Sequence, residues 1–222
     1  MDLKLEEVSE LLNVSEATIR RWLADGKIPA YQLNEQYRFS RHEIEDWLVS
    51  HEFVDDEENK HTQGGLKHFA LFRAIHKGGV YHNVPGSNKE EIIKNSAKLL
   101  AKDHNFDPDI MADLLLDREN LMSTALNNGL AVPHTREITF NKHYDAVAIV
   151  FPKEPIEYGA LDNEPVHTLF FLFACDDKRH LNLLAKAAHF SRDQRTVDFL
   201  KSKPTKNDIL KYIRSWESQI NS

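Results

Sequence analysis

The feature that most constrains this chain is a break in composition at residues 51–65, HEFVDDEENKHTQGG. The stretch is polar and acidic, lacks an apolar period and ends in two glycines, so it reads as an acidic flexible linker. It divides the 222 residues into a small head, residues 1–50, and a body, residues 66–222, long enough to bury its own core. No apolar run approaches the length of a membrane span, and no membrane insertion is expected. The opening MDLKLEEVSE lacks the basic and apolar regions of a secretory signal, so a cytoplasmic location is the expectation. One cysteine, Cys175, excludes an intrachain disulfide. The 12 histidines form no zinc-type spacing, and neither a metal nor a cofactor is expected.

The formal net charge is −7, so the chain has no global basic field for nucleic acid. Any DNA contact must come from a local basic face. The head reads as three short helices with a hairpin between the second and third. Leu5, Val8, Leu11 and Leu12 recur at helical spacing. Ser15 can cap a second helix over about 16–24, with Ile19, Trp22 and Leu23 inward and Gly26 ending it. Tyr31–Leu33 and Tyr37–Phe39 flank an expected hairpin turn at 34–36, and Ser40-Arg41-His42-Glu43 reads as a capping box. Glu16, Ala17, Thr18, Arg20 and Arg21 fall on or near the second helix's outward faces. The two arginines can reach guanine edges or phosphates, and Arg38 marks a wing that can touch the backbone. The same arginines also suit the solvated face of a protein-interaction module, and the head holds six Lys/Arg against ten Asp/Glu.

The stretches LEEVSELLNVSEATIRRWL, GKIPA and YRFSRHEIEDWL resemble the excisionase-type, MerR-related winged helix-turn-helix. The resemblance implies DNA binding, often as a homodimer or beside another DNA-bound partner. It implies Ser15, Thr18, Arg20 and Arg21 as the recognition set and Arg38 as the wing contact.

The body reads as α/β, a mixed sheet flanked by helices. Apolar runs at 146–151 and 166–174 suit buried strands. Helices are expected after a Ser87-Asn88-Lys89-Glu90 capping box, after Asp107-Pro108, over 180–190 and from Thr205. In the segment LLDRENLMSTALNNGLAVPHTR, His134 follows a proline at the end of a short apolar strand. An imidazole held there can attack a phosphoryl donor, giving a covalent phosphohistidine. Arg118, Arg136, Ser123, Thr124 and backbone N–H groups can compensate the phosphoryl charge. Read alone, His134 also suits a structural role. Arg118 can instead form an exposed pair with Glu119, and His180 can simply cap or pack.

The body is similar to enzyme IIA of the phosphotransferase system, in its mannitol/fructose/nitrogen-regulatory class (enzyme IIA type 2). The likeness is carried by SNKEEIIKNSAKLLA, LLDREN, the Ser-Thr pair, NNGLAVPH, YGALDNEPVHTLFFLFA and HLNLLAKAA, in that order. It implies His134 as the phosphate acceptor, His180 as a second histidine beside it and Arg118 as the family arginine. The implied donor is the histidine phosphocarrier protein. Two positions depart from the pattern: Asn127 stands where glycine or alanine is usual, and Thr135 replaces a small residue. Together the halves imply a regulatory protein that accepts a phosphoryl group and couples it to DNA binding or control of a regulatory protein partner. On that reading a phosphocarrier component with a covalent phosphohistidine is expected rather than a free-standing metabolic enzyme. The alternatives are a soluble enzyme IIA serving a separate sugar permease, and a protein-interaction regulator that is never phosphorylated.

Overall fold

A computed structural model describes residues 2–12, 14–34, 36–41, 43–44, 47, 70–135 and 145–220. The linker expected at 51–65 lies outside them, as does Arg136.

In the head, β1 (Asp2–Lys4) leads into α1 (Leu5–Leu12) and α2 (Glu16–Ala24), followed by β2 (Tyr31–Leu33) and β3 (Gln36–Ser40). The sheet order is β1-β3-β2, antiparallel throughout. Ser15 caps α2 by accepting the Thr18 N–H at 3.1 Å. Gly26 takes the left-handed backbone that stops it, and Asn34 does the same in the hairpin turn. Beyond β3, Arg41, Glu43, Ile44 and Trp47 are helical. Trp47 packs on Trp22, with ring centroids 5.6 Å apart, and its indole N–H donates to the Lys27 carbonyl at 2.6 Å.

The body runs α3 (Ala70–Gly78), β4 (Val80–Val84), α4 (Lys89–Leu100), α5 (Pro108–Leu121), β5 (Leu130–Ala131), β6 (Ala146–Pro152), β7 (Thr168–Phe173), α6 (Asp177–Phe190), α7 (Gln194–Lys201) and α8 (Lys206–Ile220). The mixed sheet has the order β4-β6-β7-β5. β4 pairs parallel with β6, β6 antiparallel with β7, and β5 parallel with β7. Strands buried on both faces need no polar alternation, which is why β6 and β7 are unbroken apolar runs. Val147, Ile149, Phe151, Phe170 and Leu172 pack with α3, α6, α7 and α8 on one face. Ala148, Val150, Leu169, Phe171 and Phe173 pack with α4 and α5 on the other. Helices therefore flank a mixed sheet, as the sequence implied.

Two helix starts differ from expectation. The cap of α4 is Asn88, not Ser87: Asn88 accepts from Glu91 N–H at 2.9 Å, while Glu91 reaches back to Ser87 N–H at 2.9 Å. The reciprocal box is shifted by one residue. α6 begins at Asp177 rather than at 180, because Asp176 caps it by accepting the Arg179 N–H.

The head does not stand apart from the body. α1 packs against α6, and the head's buried apolar residues run continuously into the α3, α6 and α8 side of the sheet. Arg41 reaches across to Asp177 at 3.0 Å.

Candidate functional site

The chain path brings His134 and His180 together. β5 and β7 are parallel, so both end at one edge of the sheet. Beyond β5 the chain stays alongside β7, with Leu172 N–H donating to the Pro133 carbonyl at 3.0 Å and His134 bridging to Leu172. α6 starts soon after β7 ends, which places His180 at the same edge. The two imidazole centroids lie 5.2 Å apart. The last turns of α5 bring Arg118 to the third side.

Hydrogen bonding fixes the state of the His134 ring. Arg118 can only donate, and its Nε–H points at His134 Nε2 at 3.2 Å. A backbone carbonyl can only accept, and the Val132 carbonyl lies 2.8 Å from Nδ1. The ring is therefore the Nδ1–H tautomer, with the Nε2 lone pair aimed at a guanidinium. Arg118 is itself held by an Nη1–H bond to the Met122 carbonyl at 2.9 Å. His134 is 0% exposed and His180 4%. An incoming phosphoryl group can reach Nε2 only after something covering the ring moves.

Arg118 and Glu119 do not form the exposed pair that sequence allowed. Both are buried, and Glu119 instead accepts from Thr124 N–H at 3.0 Å and Thr124 Oγ1 at 2.6 Å, with Lys89 Nζ at 3.7 Å. The Thr124 carbonyl in turn accepts the Val132 N–H at 2.9 Å, so Glu119 braces the segment that leads from β5 to His134. Sequence reasoning missed this role; its only trace was the Arg-Glu pair just before Ser-Thr. The phenol of Tyr158 is fully buried beside Glu119. Burial first, and then the Glu119 charge, hold its pKa well above the usual value. Ser123 donates to the Tyr158 carbonyl at 3.3 Å and is half-buried. Thr135 is buried next to His134. The left-handed backbone falls on Asn128 and Gly129, not on Asn127. At Gly129 a Cβ would come within 2.6 Å of His167, so the glycine in NNGLAVPH is needed for close approach as well as for backbone freedom. Arg136 lies outside the described residues, so only Arg118, Ser123 and Thr124 of the anticipated phosphate contacts are placed.

In the head, the structure takes Thr18 off the outward face. It is buried, and its hydroxyl lies 3.0 Å from the Ser15 hydroxyl. Ser15 and Thr18 thus shape the start of α2, because their polar groups serve the cap. Arg20 and Arg21 are exposed, Arg20 pairing with Glu16 at 3.4 Å. Arg38 lies on β3, donating to Gln36 Oε1 at 2.9 Å and to the Tyr37 carbonyl at 3.1 Å. Among the described residues, no group of three or more His, Cys, Asp or Glu is placed to hold a metal.

Residues 73–216 match the family model described as phosphoenolpyruvate-dependent sugar phosphotransferase system, EIIA 2. The chain belongs to that EIIA family. Residues 3–51 of this EIIA chain match a helix-turn-helix domain model. The chain is similar to the nitrogen regulatory protein of Pseudomonas aeruginosa, with 32% identity over 140 residues that cover 59% of this chain and 86% of that protein. It is also similar to the mannitol-specific phosphotransferase enzyme IIA component of Bacillus subtilis, with 25% identity over 139 residues covering 62% and 94%. The crystal structure of nitrogen regulatory protein IIA-Ntr from Neisseria meningitidis shares the fold, with a TM-score of 0.55 and 22% identity over 60% of this chain and 92% of that one. No helix among the described residues is long and apolar enough to cross a membrane.

Proposed function

We propose that this chain is a cytoplasmic phosphotransferase-system regulator in which His134 accepts a phosphoryl group from the histidine phosphocarrier protein. Its phosphorylation state then sets DNA binding or partner control by the head. The observation that carries this reading is the fixed tautomer: Nδ1–H donates to the Val132 carbonyl and leaves the Nε2 lone pair facing Arg118. In the transfer, Nε2 attacks phosphorus in line, the Nε2–P bond forms and the donor's N–P bond breaks. The donor imidazole keeps the released electron pair, and the His134 proton stays on Nδ1, where it is donated to the Val132 carbonyl. As the donor approaches, Arg118 turns from Nε2 and frees its lone pair for the attack, and its planar guanidinium then donates two bonds to the phosphoryl oxygens. His180 packs beside the ring, and Ser123, Thr124 and Arg136 complete the contacts to the phosphoryl oxygens. In the head, Arg20, Arg21 and Arg38 meet phosphates or base edges, with Ser15 and Thr18 holding α2 in place. The acidic linker of 51–65 joins the two domains, 1–50 and 66–222.

Transfer of labelled phosphoryl from phosphocarrier tests the chemistry. The wild type is expected to take up acid-labile label, and His134→Ala none. Equal labelling of both contradicts the assignment. The complete burial of His134 favours the second reading, a regulator that works through protein contacts alone. Under that reading neither protein is labelled, and DNA binding responds to a protein partner instead.

A further inference from the structure

We infer that the α6 face beginning at Asp177 is a docking surface for the chain's own head, and that the docked head keeps His134 closed to phosphoryl donors. The inference rests on His134 being the acceptor. Three observations converge on α6. Its first residue, Asp177, clamps Arg41 of the head at 3.0 Å, with side chains only 28% and 8% exposed. One turn further along, the same helix carries His180, whose ring lies beside His134. The body of the helix receives α1, so Val8 and Leu12 of the head share one apolar cluster with Leu181 and Leu184.

The site therefore sits at the edge of an interface between two parts of the same chain, and both imidazoles are shut off from solvent. A phosphocarrier is itself a protein and needs Nε2 open on one side. The head meets the body through the short helix α1 and a partly buried ion pair. Its release costs less than disturbing the sheet. The reading surface is not consumed by the dock, since Glu16, Arg20 and Arg21 stay exposed. A docked head can engage DNA while His134 is closed. Whatever stabilises docking must slow phosphorylation, and phosphorylation must in turn favour release, because linkage is reciprocal.

The test uses the full chain and phosphoramidate, a small donor that avoids any partner-recognition effect. Its P–N bond breaks as Nε2–P forms, and ammonia leaves. Arg41→Glu and Asp177→Arg each place like charges across the dock, whereas the double variant restores an opposite-charge pair. Each single variant is expected to label at His134 about tenfold faster than wild type, and the double variant to return close to the wild-type rate. That recovery also shows that the fast rates do not come from unfolding. Equal rates in all four proteins, with label on His134, overturn the dock while leaving the acceptor assignment standing. Labelling no different from that of His134→Ala in every form overturns the acceptor assignment, and the gate with it.

Discussion

At the residue scale, the site is a set of groups with only one way to pair. A guanidinium donates, a carbonyl accepts, and the ring between them has its proton placed for it. Lysine at 118 keeps the charge but loses the fork that holds Met122 and His134 together. Arg118→Lys is expected to slow labelling of His134 about 100-fold, read as initial rates at equal donor concentration. His167 allows a check by pH. It is largely buried between Thr168 and the Asn128 carbonyl, and burial pulls its pKa below the ordinary 6.5. The unfolded chain therefore takes up a proton there that the folded chain refuses. Stability from this group is full above 6.5 and declines as pH falls below it. An NMR titration is expected to place the His167 midpoint below 6.5. His134, His180 and Arg118 were legible in sequence because short motifs hold them. The inward turn of Thr18, the left-handed backbone at Asn128 and the bracing by Glu119 were not. Each depends on which atom a side chain bonds, and residue type does not decide that.

At the scale of elements, sequence was most informative where one physical rule dominates. β6 and β7 are buried on both faces and therefore appear as unbroken apolar runs. The Asp107-Pro108 start of α5 is visible because a cap and an N1 proline leave little alternative. β1 and β5, of 3 and 2 residues, are too short to show any period, and tertiary pairing alone makes them strands. Two substitutions test the local logic. Asn88→Ala removes the α4 cap and is expected to cost about 1 kcal/mol in urea unfolding. Gly129→Ala forces a Cβ against His167 at a φ of +73°, and is expected to cost about 2 kcal/mol or more. A neutral result would show that the NNG turn relaxes freely.

At the scale of the whole molecule, the linker's composition pointed to a loosely tethered head, yet the head is packed on α6. Arg41 and Asp177 are far apart in sequence, and neither sits in a motif that announces the other. Only the fold brings them together, on the helix that also carries His180. This arrangement links a helix-turn-helix module to an EIIA site through one shared element, which neither domain's own pattern reveals. The proposed chemistry nevertheless turns on a single atom. Nitrogen-15 NMR of the phosphorylated chain, reading the coupling of phosphorus to the ring nitrogens, tests it most directly. Phosphorus on Nε2 of His134, with the Nδ1 proton retained, is the expected result; phosphorus on Nδ1, on another histidine, or nowhere in the chain would contradict it.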